Sequence, residues 1–177
     1  MLKIISAQTF ICTFVLNIQH QTNINSIMLI NFLIVIGTFA FMEFMAWFAH
    51  KYIMHGFGWT WHADHHNHHR GFFEKNDYYA VVFAVVASST IIYGNTHADF
   101  WYLTWFGAGV TCYGVAYFVF HDIIVHRRIK IKFIAKSKYM KRIMHAHYIH
   151  HKVHTKDGAE AFGFLYAPEK YEPKIRD

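Results

Sequence analysis

The sequence predicts an all-α integral membrane bundle of three to four spans, and three observations carry that prediction. Apolar residues are 54% of the 177 and charged residues only 16%; the apolar residues gather in long runs almost free of charge; and the cationic residues fall outside those runs in a sided pattern. An aromatic content of 19% argues against a disordered chain, and two prolines and ten glycines argue against a collagen-like or low-complexity one. Residues 28–177 read as a single membrane domain, preceded by an apolar N-terminal segment, residues 1–27.

Residues 28–48 contain one ionisable side chain, Glu43, and at about 1.5 Å per residue they cross a hydrocarbon core of about 30 Å. Two further runs, residues 79–93 and 101–120, are joined by the short polar turn 94–99 and form a tight helical hairpin that just crosses. The alternative is a pair of core helices in a soluble protein, against which the scarcity of charge between Tyr78 and Phe120 speaks. Residues 4–18 are apolar but short, behind a single Lys3, with no small-residue cleavage site after them. An interfacial helix and a fourth span both fit that segment.

Of the seventeen Lys and Arg residues, three lie between His50 and Asp77, thirteen lie between His121 and Asp177, and the 94–99 turn has none. If the first span ends in the cytoplasm, both basic segments land there, as the positive-inside tendency asks. The net charge of +6 then reads as topology and surface docking. It does not read as nucleic-acid binding, because no binding motif is interleaved with the basic residues. Cys12 and Cys112 are too few for a disulfide framework or a cysteine zinc site, and both lie in apolar surroundings where a buried, reduced thiol is expected.

Ten of the sixteen histidines form four boxes. His50 and His55 stand five apart after the first span, followed by His62, His65 and His66 in HADHH. Past the hairpin, His121 and His126 repeat the first spacing, and His147, His150 and His151 in HYIHH repeat the second. On an α-helix i, i+3 and i+4 share a face, so each HX2HH box can present three imidazoles to one volume. An HX4H pair is about 140° apart on an ideal helix, too wide for one ion unless the metal sits between helices or the helix ends at the second histidine. Gly56 and Gly58 supply such an ending after His55. Imidazole suits iron, copper or zinc, and ten around one locus exceed what a single ion uses, so a di-metal site is expected. An even number of crossings between the halves brings all four boxes to the cytoplasmic face.

His68, His69, His145 and His154 lie close to the boxes and are expected to be solvated or supporting; His20 and His97 lie far from them. Glu43, seven residues before His50, is expected to hold an imidazole by hydrogen bonding or to relay protons. Asp64 and Asp122, inside boxes, are candidates for the same support. Asp77 is expected to cap the second span.

These boxes, together with HKYIMHGFGWTWHADHH, FEKNDYYAVVFA and AFGFLYAP, resemble the bacterial β-carotene 3-hydroxylases of the membrane fatty-acid-hydroxylase superfamily, over residues 43–168. The boxes alone indicate the superfamily; the flanking stretches point to carotenoid hydroxylases. The resemblance implies a di-iron, oxygen-dependent monooxygenase in the bacterial inner membrane, converting β-carotene through β-cryptoxanthin to zeaxanthin, with the ten box histidines as ligands. Zinc can replace iron in purified protein, because imidazole cages accept either. Oxygen insertion into an unactivated C–H bond needs chemistry that side chains lack. One oxygen atom enters product and the other becomes water, so two electrons and two protons are required. No dinucleotide fingerprint or flavin motif is evident, and no bound flavin, haem or nucleotide is expected. The electrons then come from an external donor, such as an acidic ferredoxin with its reductase, steered to the basic 121–177 segment. The polyene is expected to enter from lipid, with aromatic residues of 39–61 as candidate tunnel walls.

Two rivals remain: another superfamily oxygenase acting on a fatty acyl chain, sterol or different carotenoid (ketolase or desaturase included), and a non-catalytic metal-binding or metal-transporting membrane protein. The second predicts ionisable residues strung along the spans, whereas only Glu43 lies within one.

Overall fold

The computed structural model describes residues 2–67 and 71–173, and of residues 2–18 and 20 the backbone alone. His68 and His69 lie outside the described residues, as does the side chain of His20. Among the described residues there are helices and turns but no strand. The protein is an integral membrane helical bundle.

Helix α1 (Leu2–Phe48) continues without a turn from the N-terminal segment into the first span and passes into a π-helical stretch, Ala49–Phe57. Gly56, at φ −106° and ψ −125°, breaks the helical course there, and a single turn, α2 (Trp59–His62), follows. Helix α3 (Asp77–Thr96) runs back through the bilayer. A 3₁₀ turn (Ala98–Phe100) leads to α4 (Tyr102–Tyr117), which passes into a second π-helical stretch, Phe118–Val125. Helix α5 (Lys138–His150) starts at Ser137, whose hydroxyl accepts from the Met140 N–H at 3.1 Å. Among the described residues three helices are long and apolar enough to cross a membrane: Gln21–Phe57, Asp77–Thr96 and Tyr102–Val125.

Helix α3 overruns its expected end because polar residues at the turn bond back along it. Asn95 Nδ2 donates to Ile91 O and Thr96 Oγ1 to Ile92 O, both at 2.9 Å, so the helical course persists past the last apolar residue. At this end Tyr93, Trp101, Tyr102 and Trp105 are partly exposed, as aromatic side chains are at a membrane interface.

Helix α4 packs against both α1 and α3. Close approach depends on its small residues: a Cβ on Gly107 would fall 2.6 Å from Thr90 Oγ1 and Ile91 Cγ1, and one on Gly109 would fall 2.6 Å from Thr38 Cβ. The core between these helices and the 162–165 loop holds Met42, Ala87, Val110, Tyr113 and Phe164. Large apolar side chains such as Phe32, Leu33, Val81, Val85 and Val115 face outwards, where lipid solvates them. Cys112, expected to be buried, is exposed on α4: its neighbours Val110 and Tyr113 take the inward positions instead.

Candidate metal centre

The ends of α1 and α4, the start of α3, and α5 converge on the face away from the 94–101 turn, and there the ten box histidines collect in two groups of five. One holds His50, His55, His62, His66 and His150; the other holds His65, His121, His126, His147 and His151. Within each group one nitrogen per ring lies within 4.8 Å of all the others, close enough to share an ion.

The HX4H pairs reach one locus by the routes the sequence left open, aided by a local change of helix type: Gly56 breaks the helical course directly after His55, the second π-helical stretch ends beside His126, and each group lies between helices. His50 and His55 lie in one π-helical stretch, and His121 lies in the other, which His126 caps; i→i+5 hydrogen bonding brings residues five apart over one another, and His126 N–H donates to His121 O at 2.9 Å. The ring centroids are 5.3 Å apart for His50 and His55 and 4.5 Å for His121 and His126. The HX2HH boxes depart from expectation, because their three rings do not share one volume. His62 and His66, at i and i+4, join the first group while His65 turns to the second. His147 and His151 join the second while His150 turns to the first. The first of these boxes is helical only as far as His62, and hydrogen-bonded turns carry it on.

Seven rings are held from behind by an oxygen that accepts from Nδ1. In the first group these are Phe162 O for His50 (3.1 Å), Lys156 O for His55 (2.9 Å), Asn76 Oδ1 for His62 (2.7 Å), Val153 O for His66 (2.7 Å) and Glu160 O for His150 (2.8 Å). In the second, Glu74 Oε2 holds His65 at 2.7 Å and Asp122 Oδ1 holds His121 at 2.8 Å. Since Nδ1 carries the proton, each Nε2 is left with a lone pair. In the first group these lone pairs face one another, with Nε2 to Nε2 distances of 3.1 Å (His50 to His62, His62 to His66, His66 to His150) and 3.2 Å (His55 to His66 and to His150). Two acceptors cannot hydrogen-bond each other, so the arrangement calls for a cation between them. In the second group, His151 Nε2 is buried with no hydrogen-bond partner.

Burial keeps the rings neutral, as metal ligation requires. It pulls His62 and His150 down to about 3 and His66 and His126 to about 4. His65, His147 and His151 are lowered for the same reason, and neighbouring rings add to the effect. His150 is wholly inaccessible and His62 nearly so.

The supporting carboxylates differ from expectation in part. Asp122 does hold an imidazole, that of His121. Glu43 touches none: its Oε1 accepts from the backbone N–H groups of Phe164 (3.1 Å) and Leu165 (2.7 Å), and its Oε2 accepts from the Tyr113 hydroxyl (2.8 Å). It buttresses the loop whose Phe162 carbonyl holds His50, which corrects the reading of Glu43 as an imidazole partner. Asp64 is corrected likewise, since its Oδ2 accepts from the Lys75 N–H at 2.7 Å. Asp77 does not cap α3 as expected; its Oδ2 accepts from the Glu74 N–H at 3.0 Å, and its Oδ1 pairs with Arg128 Nη2 at 2.8 Å. That same Nη2 pairs with Glu74 at 2.9 Å, and Arg128 Nε stands 3.9 Å from Asp122.

Glu74, Asn76 and Arg128 carry roles that sequence reasoning missed; the first two sit in FEKNDYYA, a stretch used above only as a mark of resemblance. His145 donates to Tyr171 O at 2.8 Å and ties down the C-terminal segment. His154 bonds the His66 carbonyl at 2.5 Å, and His97 stacks on Tyr93 at the opposite end.

An apolar cavity of about 470 Å³ lies between α1, α3 and α4. Its walls include Met42, Ala46, Phe83, Ala87, Val110 and Phe164; Ala84, Ser88, Gly114, Val115 and Phe118 are exposed at its lipid-facing rim, and His50, His121 and His147 stand at its inner end. A second, polar and open cavity of about 570 Å³ reaches the histidines from the aqueous side, past Arg127 and Tyr148 to His65, His126 and His151.

The chain is similar to a β-carotene hydroxylase of Pantoea ananas, with 51% identity over 83% of this chain and 84% of that protein. It is also similar to one of Pseudescherichia vulneris, at 49% over 79% and 78%. A chloroplastic β-carotene 3-hydroxylase of Gentiana lutea is 35% identical over 80% of this chain and 44% of its own length. No family model and no solved structure matches.

Proposed function

Since the chain belongs to the β-carotene hydroxylase family, we propose that it is a di-iron monooxygenase placing a hydroxyl at C3 of the β-ionone ring, taking β-carotene through β-cryptoxanthin to zeaxanthin. The observation that carries the reading is the apolar cavity, open to lipid at one end and closed by histidines of both groups at the other. Its volume falls in the range of about 300–1,000 Å³ usual for small-ligand sites, which suits one cyclic end group while the polyene stays among the lipid chains.

Each histidine group takes one metal ion. Five imidazoles exceed the four ligands of a structural zinc site and favour a metal of higher coordination number, as iron is. Bound there, the irons supply the dioxygen activation that no side chain can. The rest is work of the chain. Met42, Ala46, Phe83 and Phe164 exclude water and offer the ring only apolar contact, so its orientation is set by shape. The backing oxygens on Nδ1 fix the ring planes before any ligand arrives. One oxygen atom ends in product and the other in water, with two electrons and two protons arriving from the aqueous side. An acidic ferredoxin with its reductase suits the Lys- and Arg-rich 127–156 stretch beside the polar cavity. Lys and Arg gather at the histidine end of the bundle, which favours a cytoplasmic active site in the inner membrane.

The test is product analysis in aerated cells that make β-carotene and carry a working ferredoxin reductase. Hydroxylated carotenoid is expected, with about two irons per chain and no Soret band in purified protein. No hydroxylated product under these conditions would overturn the assignment.

A further inference from the structure

The two histidine groups are alike in number and unlike in what stands behind them. All five rings of the first group lean on neutral oxygens: four backbone carbonyls and the Asn76 amide. In the second group His65 leans on the Glu74 carboxylate and His121 on the Asp122 carboxylate. Arg128 frames that arrangement, ion-paired to Glu74 and Asp77 and close to Asp122, with all four side chains largely withdrawn from solvent. A carboxylate behind Nδ1–H draws the proton towards itself and leaves Nε2 more basic than a carbonyl does. The polar cavity opens beside the second group as well, touching His65, His126, His147 and His151 but only His66 of the first.

We infer that the two sites are built to be electronically unequal, Glu74 and Asp122 being positioning residues that make the second group the more electron-donating and stabilise the higher oxidation state of the iron held there. The inference rests on the reading that each group takes one iron. It gives the two groups separate parts: the iron of the second group is the harder to reduce and stands beside the aqueous opening, and that of the first is the easier to reduce. Asn76 and Glu74, two residues apart at the head of α3, are the matched pair that sets the difference. Each backs a ring of the same HX2HH box, one with an amide oxygen and the other with a carboxylate.

Mössbauer spectra and redox titration of iron-57-loaded protein test this without reference to activity. Wild type is expected to show two doublets of equal area. Glu74→Gln keeps an acceptor for His65 but removes the charge, so one doublet should shift and its midpoint potential should rise while the other stays. Asn76→Asp should shift the other doublet and lower its midpoint. Asp122→Asn serves as a second probe of the first kind should Glu74→Gln fold poorly beside Arg128. Two irons whose doublets respond together to Glu74→Gln or Asp122→Asn, or do not respond, overturn the asymmetry alone, as does a common doublet moved by both the Glu74 and Asn76 variants. An iron count short of two per chain overturns the functional reading, and this one with it.

Discussion

Replacing Glu43 separates two roles that predict opposite behaviour for one substitution. If the carboxylate relays protons, Glu43→Gln should be as damaging as Glu43→Ala. The structure makes it a buttress instead, with three donors converging on its two oxygens: Phe164 N–H, Leu165 N–H and the Tyr113 hydroxyl. Glutamine can keep all three contacts, since its carbonyl still accepts from the two N–H groups and its amide donates to a Tyr113 hydroxyl that turns to accept. Alanine leaves three buried donors unpaired. At about 0.6 kcal/mol for an average hydrogen bond between membrane helices the loss is about 2 kcal/mol, and at the lower soluble-protein value for bonds to charged groups, about 1.5 kcal/mol each, it approaches about 5 kcal/mol. A second effect follows, because the loosened loop carries Phe162, whose carbonyl holds His50 Nδ1 at 3.1 Å. Loss of such backing costs about 10–100-fold in metal affinity or activity. Thermal unfolding in detergent, with iron content and carotenoid product from cells, should place Glu43→Gln near wild type and Glu43→Ala well below it on all three. Equal loss in both variants would refute the buttress, and so would an unaffected Glu43→Ala.

Three further outcomes follow from the geometry. His62→Ala or His150→Ala removes one of five converging nitrogens from the first group and should abolish hydroxylation while the chain still reaches the membrane fraction; full activity in either contradicts ligation. Gly114→Phe adds a ring at the cavity rim where a Cβ meets no heavy atom within 4 Å, so product should fall by more than about tenfold with stability changed by under about 1 kcal/mol, checked by unfolding in parallel. Stripping metal with a chelator should lower the unfolding temperature reversibly, because facing lone pairs lose the cation between them, and anaerobic iron(II) should restore it.

Hydropathy made the three spans legible because lipid rewards the same property over about 20 consecutive residues, whatever the packing. Their ends were less legible, since Asn95 and Thr96 extend α3 through side-chain bonds that no apolar pattern records. The ten histidines could be picked out by spacing, but their sorting could not. An ideal α-helix sets His50 and His55 about 140° apart; the break at Gly56 was legible as a glycine, but the π-helical stretch that narrows the angle was not. The backing oxygens escaped notice for a related reason. Most are backbone carbonyls from residues 153–162, whose positions depend on a loop course that side-chain identity does not encode.

The exchange of one histidine per HX2HH box has a consequence for how the site assembles. His65 lies in the first half of the chain yet serves the second group, and His150 lies in the second half yet serves the first. Had each box stayed whole, each half of the repeat could close its own site. With the exchange, neither group is complete until α5 has docked against the 62–66 box. The backing follows the same rule: Phe162, Lys156, Val153 and Glu160 of the C-terminal half hold rings of the first group, and Glu74 of the first half holds His65 of the second. Under the proposed function, metal binding would therefore be coupled to the packing of the two halves, and ions bound there would stabilise the tertiary fold.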